Sequence, residues 1–218
     1  MIDINKIQAV NDWVVLLFRK GSTNDSSLLK EYKFGNNVLF IPVKFNLLQY
    51  VEQVAQVISA GPGCDGVIKP GSFVLVHHFV SGTNENFIEE LDNGDQIRRA
   101  KNIQVWSAVD TTSGTLMPVV GQLFCEFKKQ SIQFVDTNNL ISIENFAPTL
   151  NKYMPLTVEA VNPIDTWRYG IKKGDEIIVD AAGAYDIEIL GKMRFKIDTG
   201  VIVGKVVEKN GEVELKSY

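Results

Sequence analysis

The sequence predicts an all-β protein of two tandem domains. Two observations carry this. Its 218 residues break into short apolar runs rich in β-branched and aromatic residues, at period two more often than at helical spacing. Its two halves also repeat one another at a nearly constant offset.

The strands expected in the first half are Trp13–Phe18, Asn37–Ile41, Val54–Ser59, Phe73–Phe79, Gln96–Arg99 and Asn102–Trp106. Glycine, proline and asparagine punctuate them at Gly35-Asn36, Gly61-Pro62, Pro70-Gly71 and Asn93-Gly94, residues that turns select. Leu47–Val57 has a short helix-like pattern, but its C-terminal part reads better as strand. In the second half the expected strands are Gly121–Phe127, Leu140–Ile143, Thr157–Val161, Glu176–Val179, Ala184–Ile189, Met193–Ile197 and Val201–Val207.

The repeat appears in three places, in the same order. Asn36-Asn37-Val38-Leu39-Phe40-Ile41 returns 102 positions later as Asn138-Asn139-Leu140-Ile141-Ser142-Ile143. Val57–Pro62 returns as Val158–Pro163, 101 positions on, and Ile68-Lys69-Pro70-Gly71 as Ile171-Lys172-Lys173-Gly174, 103 positions on. The small polar stretch Val109–Thr115 reads as the linker, which gives domains of 1–110 and 111–218. The first holds 10 basic and 12 acidic side chains and the second 12 and 14, so each carries −2 of the net −4.

Composition narrows the function. Apolar residues at 45% and charged residues at 22% suit a packed core and argue against collagen, disordered tails and coiled coils. There is no basic stripe of the kind that releases counterions from phosphates, so no nucleic-acid partner is expected. Cys64 and Cys125 are too few for a disulfide scaffold, and no apolar stretch approaches the ~18 residues of a membrane span. A soluble cytoplasmic protein with no membrane contact is the expectation.

The first half, taken in order, resembles the GroES family of co-chaperonins. Val10–Leu16 is similar to the family's first strand, and Gly35-Asn36-Asn37-Val38-Leu39-Phe40-Ile41-Pro42 to the flexible loop that grips the chaperonin. Val54–Gly63 resembles the family's strand and glycine turn, Val67–Val76 its V-K-V-G-D segment, and Ile88–Ile97 its closing hairpin. The second half is a looser match, strongest at 170–180 and 185–203. The sequence departs from the family in a short 61–67 stretch, extra residues at 19–34, and the missing glycine pair before Leu140. The resemblance implies two tandem GroES-like β-barrel domains in a homo-oligomeric ring or lid protein that assists folding by a chaperonin. Family rings place seven domains on a seven-fold chaperonin, and a two-domain chain does not fill seven positions evenly. A second reading therefore stands: a structural protein of a phage virion or capsid-associated assembly built from the same barrels.

The implied chaperonin-binding residues are Val38, Leu39 and Phe40, with Leu140, Ile141 and Ile143 as a possible second loop. The preceding polar stretch Gly21–Ser27 is expected to be flexible, so that the tripeptide reaches a partner. Burying each such side chain stabilises by roughly 1.5–3 kcal/mol, and a ring of weak arms adds through effective concentration. The competing reading makes Val38–Phe40 one more core strand.

No catalytic residue, metal site or cofactor is expected. Gly61-Pro62-Gly63-Cys64-Asp65-Gly66 fits the dinucleotide pattern G-x-G-x-x-G, but a nucleotide site needs a helix starting there, and Pro62 lacks an N–H. A turn whose glycines adopt positive φ is expected instead. His77 and His78, as strand neighbours, are expected on opposite faces and unable to chelate one metal. Cys125 reads as an inert core thiol, and Glu89, Glu90, Asp92 and Asp95 as a solvated hairpin turn around Asn93-Gly94.

Overall fold

Apolar β-branched runs become strands here because they bury one another across a sheet. In the computed structural model, residues 4–19, 29–34, 37–42, 53–127, 132–136, 139–143, 153–189, 191–209 and 212–217 are described. They divide into two units, Met1–Val119 and Val120–Tyr218.

In unit 1 the strands are β1 (Trp13–Phe18), β2 (Leu29–Phe34), β3 (Asn37–Pro42), β4 (Val54–Ala60) and β5 (Phe73–Val76). They continue as β6 (Phe87–Glu90), β7 (Gln96–Lys101), β8 (Val105–Val109) and β9 (Leu116–Pro118), with helix α1 (His78–Gly82) after β5. Unit 2 has β10 (Gln122–Phe127), β11 (Ile132–Asp136), β12 (Asn139–Ile143), β13 (Tyr153–Val161) and β14 (Glu176–Asp180). They are followed by β15 (Ala184–Ile189), β16 (Lys192–Asp198), β17 (Ile202–Lys209) and β18 (Glu212–Ser217), with helix α2 (Pro163–Tyr169) between β13 and β14.

The two main sheets share one topology. Seven strands run in the order β6-β7-β1-β4-β5-β8-β9 in unit 1 and β15-β16-β10-β13-β14-β17-β18 in unit 2. The bulges coincide as well. The β1–β4 register slips between Val15 and Leu16, and the β10–β13 register between Phe124 and Cys125. The β5–β8 slip after Leu75 is matched by the β14–β17 slip after Ile178. Val57 and Val158 thus occupy equivalent positions, opposite Leu16 and Cys125. This is the 101-residue offset visible in the sequence. The chain is all-β in its main architecture. Each sheet ends in two edge strands, and among the described residues no ladder joins them.

Each unit has its own core. In unit 1, Val14, Leu16, Phe18, Val57, Val74 and Val105 belong to one buried cluster. In unit 2, Leu123, Cys125, Leu156, Val158, Ile177 and Ile197 do the same. No helix among the described residues is long and apolar enough to cross a membrane.

Three local expectations change. The stretch Val109–Thr115 is a hairpin turn. Asp110 Oδ1 accepts from Thr112 and Ser113 N–H at 2.9 and 3.3 Å, and Gly114, at φ +72°, donates to Asp110 O at 2.8 Å. The turn folds β9 back onto β8, so the units divide at 119/120 and not at 110/111. The strand expected over Phe73–Phe79 stops at Val76, because the His77 Nδ1 accepts the Phe79 N–H at 3.2 Å and caps α1. The strand expected over Asn102–Trp106 starts at Val105, after a 3-10 turn over Asn102–Gln104 in which the Lys101 N–H donates to Gln104 Oε1 at 2.8 Å.

Candidate functional site

Val38, Leu39 and Phe40 lie on β3, opposite Lys33, Tyr32 and Glu31 of β2. The ladder runs from Leu29↔Pro42 to Phe34↔Asn37, leaving two residues between the strands. β2 and β3 form a two-stranded sheet of their own, so the tripeptide is part of neither an open loop nor the core sheet. In unit 2, Leu140, Ile141 and Ile143 lie on β12 opposite Val135, Phe134 and Ile132 of β11. That sheet is also two-stranded and closes at Asp136↔Asn139. Both hairpins sit between the first strand of a unit and its antiparallel neighbour, and Asn37 and Asn139 hold the same place in each. The missing glycine pair before Leu140 has not removed the second hairpin. The polar stretch Gly21–Ser27 lies outside the described residues.

The glycine-rich segment 61–66 is held by close approach. Gly61 donates to Trp13 O at 2.9 Å and Gly63 to Asn11 O at 2.7 Å. A Cβ on Gly61 would stand 2.4 Å from Asn11 O and 2.7 Å from Val10 C. Gly61, Gly63 and Gly66 are not among the glycines at positive φ, so the expected reason is replaced by backbone contact at Gly61 and Gly63, whereas a Cβ at Gly66 would meet nothing within 4 Å. The segment turns into a loop and starts no helix, which removes the geometry a pyrophosphate would need.

His77 and His78 are not on opposite faces. Their ring centroids are 4.2 Å apart, with Phe79 4.8 Å from His77 and 4.4 Å from His78, and Trp106 edge-on to His77 at 5.3 Å. The strand ended before them, so strand alternation does not apply. Burial lowers the His78 pKa and favours its neutral form. Among the described residues no group of three or more His, Cys, Asp or Glu is placed to hold a metal ion.

Cys125 is fully buried, and desolvation followed by the charge of Glu159 pushes its thiol up to about 12. Cys64 is half-buried and its Sγ donates to Trp13 O at 3.4 Å. Desolvation raises its pKa too, so neither thiol has the depressed value of a nucleophile. Glu90 and Asp92 are exposed around a turn in which Leu91 donates to Asp95 O and Gly94 to Leu91 O, both at 2.8 Å.

The charged groups that are buried brace the fold. In unit 1, Arg98 Nη1 donates to Val80 O at 3.1 Å and Thr83 O at 2.6 Å, holding the end of α1. In unit 2, Arg194 grips Glu159 through Nε at 2.8 Å and Nη2 at 3.0 Å, while Lys192 bridges Glu159 and Glu126. Burial alone would raise Glu159, but the bonds from Arg194 and Lys192 outweigh it and hold its carboxyl below the ordinary value.

The two hairpins are the elements that the seven-stranded sheets leave unused. No protein-family model matches the chain, and no curated protein matches it.

Proposed function

We propose that the chain is a tandem GroES-like protein whose units are GroES-like barrels and whose hairpins are docking arms for a chaperonin ring. One observation carries the reading. In both units a hairpin stands outside the main sheet at the same point of the chain, and its second strand bears the apolar run that the GroES resemblance assigns to gripping.

A preformed hairpin suits that role. Its strands are already paired, so docking costs less conformational entropy than ordering an open loop. Each arm, with its three apolar side chains, binds weakly. Several arms on one ring bind together through effective concentration and let go when the partner's groove changes shape. The work is contact and enclosure, without a chemical step.

The test is a pull-down with a chaperonin ring, together with the ring's ATPase rate. The intact protein is expected to bind and alter the rate. The variant Val38→Ser/Leu39→Ser/Phe40→Ser should lose most of the binding, and Leu140→Ser/Ile141→Ser/Ile143→Ser should lose part of it. If the intact protein neither binds nor changes the ATPase rate, the lid reading fails. Recovery of the chain as a stoichiometric part of purified virions would instead support the structural-assembly reading.

A further inference from the structure

The two units share a scaffold, yet their surfaces have diverged in complementary ways. Helix α2 of unit 2 occupies the stretch that in unit 1 is the 61–66 turn. On it Ile164 is 49% and Trp167 85% exposed. Residues three apart on a helix are neighbours on one face, so the two form one apolar knob. Beside it Arg168, Lys172 and Lys173 are all exposed. Two of the acids nearby are taken up within the unit: Asp165 is turned inward to accept from Gly121 N at 2.6 Å, and Asp175 is paired with Lys205 at 2.6 Å.

Unit 1 carries the opposite character on the edge strand β6 and its turn. Phe87 and Ile88 are 40% and 37% exposed. Consecutive residues of a regular strand alternate between faces, but the β6–β7 register slips between Phe87 and Glu89 and both apolar side chains stay open. Residues 84–97 hold five acids, Glu85, Glu89, Glu90, Asp92 and Asp95, and no Lys or Arg. The counterpart in unit 2 by strand register, residues 183–194, sets Asp186 and Glu188 against Lys192 and Arg194 and has no such bias.

We propose that the basic apolar knob of α2 docks on the acidic apolar edge of β6 in a second copy of this chain. Each chain supplies both halves in equal number, matched in sign and each with an exposed apolar centre. An exposed Trp ringed by charge is the composition of an interface hot spot. The knob does not suit a membrane as well, since α2 spans seven residues and two apolar side chains bury too little area for stable anchoring. The contact is heterologous, using different patches on the two copies, so it propagates into rings or open chains. It is independent of the chaperonin reading, because it uses neither hairpin.

Sedimentation velocity of the full chain over a range of concentration tests this. The wild type should form species that grow with concentration and shrink in 1 M salt, where screening reaches about 3 Å. Trp167→Ser should weaken association by about thirtyfold. Glu90→Lys/Asp92→Lys and Lys172→Glu/Lys173→Glu should each weaken it, and the chain with all four changes should recover, since the charges again match. All these positions are exposed, and circular dichroism of each variant checks that it is folded. A wild type that stays monomeric overturns the proposal. So does association indifferent to Trp167→Ser, or a four-fold variant no better than the two-fold ones. Phosphatidylserine vesicles that bind the wild type but not Trp167→Ser, with the protein itself monomeric, would assign the knob to a lipid surface and also overturn it.

Discussion

Adding one methyl group at Gly61 should unfold unit 1 far more readily than adding one at Gly66, five residues on. An alanine Cβ at position 61 would lie 2.4 Å from Asn11 O, 2.7 Å from Val10 C and 2.8 Å from Val10 O. All three are backbone atoms, so no side-chain rotation relieves the clash. Real Cβ contacts essentially never fall under 3.0 Å, which forces the 10–11 segment away by more than half an ångström. The Gly61–Trp13 and Gly63–Asn11 hydrogen bonds, at 2.9 and 2.7 Å, then stretch or break. Two such bonds at about 1 kcal/mol each, with residual strain, give a loss of about 2–4 kcal/mol.

A Cβ at Gly66 meets nothing within 4 Å, and the backbone there is open to any residue. Gly66→Ala should be neutral or stabilise by up to about 1 kcal/mol through the unfolded chain. Urea unfolding followed by tryptophan fluorescence reports on the right unit: Trp106 is buried in unit 1, whereas Trp167, in unit 2, is exposed and changes little. If Gly61→Ala unfolds at the wild-type midpoint, or Gly66→Ala costs as much as Gly61→Ala, the close-approach account of this motif is wrong.

Replacing residues 20–50 with a short Gly/Ser linker should leave unit 1 folded and within about 1 kcal/mol of wild type, because Leu17 and Gln56 are already paired across β1 and β4. Urea midpoints and circular dichroism check this, and loss of the fold would show that the hairpin belongs to the core. Glu159 has a folded pKa below its unfolded one. The stability it adds is therefore full above the unfolded value and lost as pH falls through the folded value. Glu159→Gln should lower the unfolding midpoint at neutral pH, and the gap to wild type should close in acid; a gap that widens there refutes the pairing. In the native protein Cys64 should react with a thiol reagent and Cys125 should not, its thiol being buried and pushed to about 12. Equal reaction of both in native buffer would contradict the unit 2 core.

Two kinds of strand were legible in the sequence. Trp13–Phe18 has the observed bounds of β1, because a buried β-branched and aromatic run signs itself, and Ala184–Ile189 has those of β15, a sheet edge on which Tyr185, Ile187 and Ile189 alternate with Ala184, Asp186 and Glu188. The strands that periodicity did not show are β2, β6, β9, β11 and β18, β6 being implied only by the resemblance of Ile88–Ile97 to a closing hairpin. β6, β9 and β18 are sheet edges, and β2 and β11 belong to the hairpins. An edge strand is held by one neighbour and tolerates Lys and Glu, so its pattern is weak. Leu29-Lys30-Glu31-Tyr32-Lys33-Phe34 shows this: its partner β3 was readable, and the two-residue gap after Phe34 was the available sign of a hairpin. The strand end at His77 was not read from propensity, because a local bond, the His77 Nδ1 accepting from Phe79 N, competes there with the strand ladder. For the candidate site, the apolar runs at Val38 and Leu140 were legible. That both stand on separate two-stranded sheets follows only from pairing.

The duplication explains why conservation of scaffold and divergence of surface coexist in one chain. The bulge sites at Val15/Leu16 and Phe124/Cys125 fall at equivalent points of their sheets, and a bulge is kept where it bends a strand to fit its core. A slip of one residue there would invert every side chain of the strand, so the position is fixed in each unit by its own packing. The loops between strands carry no such penalty. One has become a close-packed glycine turn in unit 1 and a capped helix in unit 2, where Asn162 Oδ1 accepts from Ile164 N at 2.9 Å and Gly170, at φ +65°, ends the last turn. That helix raises Trp167 clear of the sheet without disturbing a strand. Two units that must fold by the same ladders can in this way meet different partners, since what distinguishes them lies in turns and edges and not in the core.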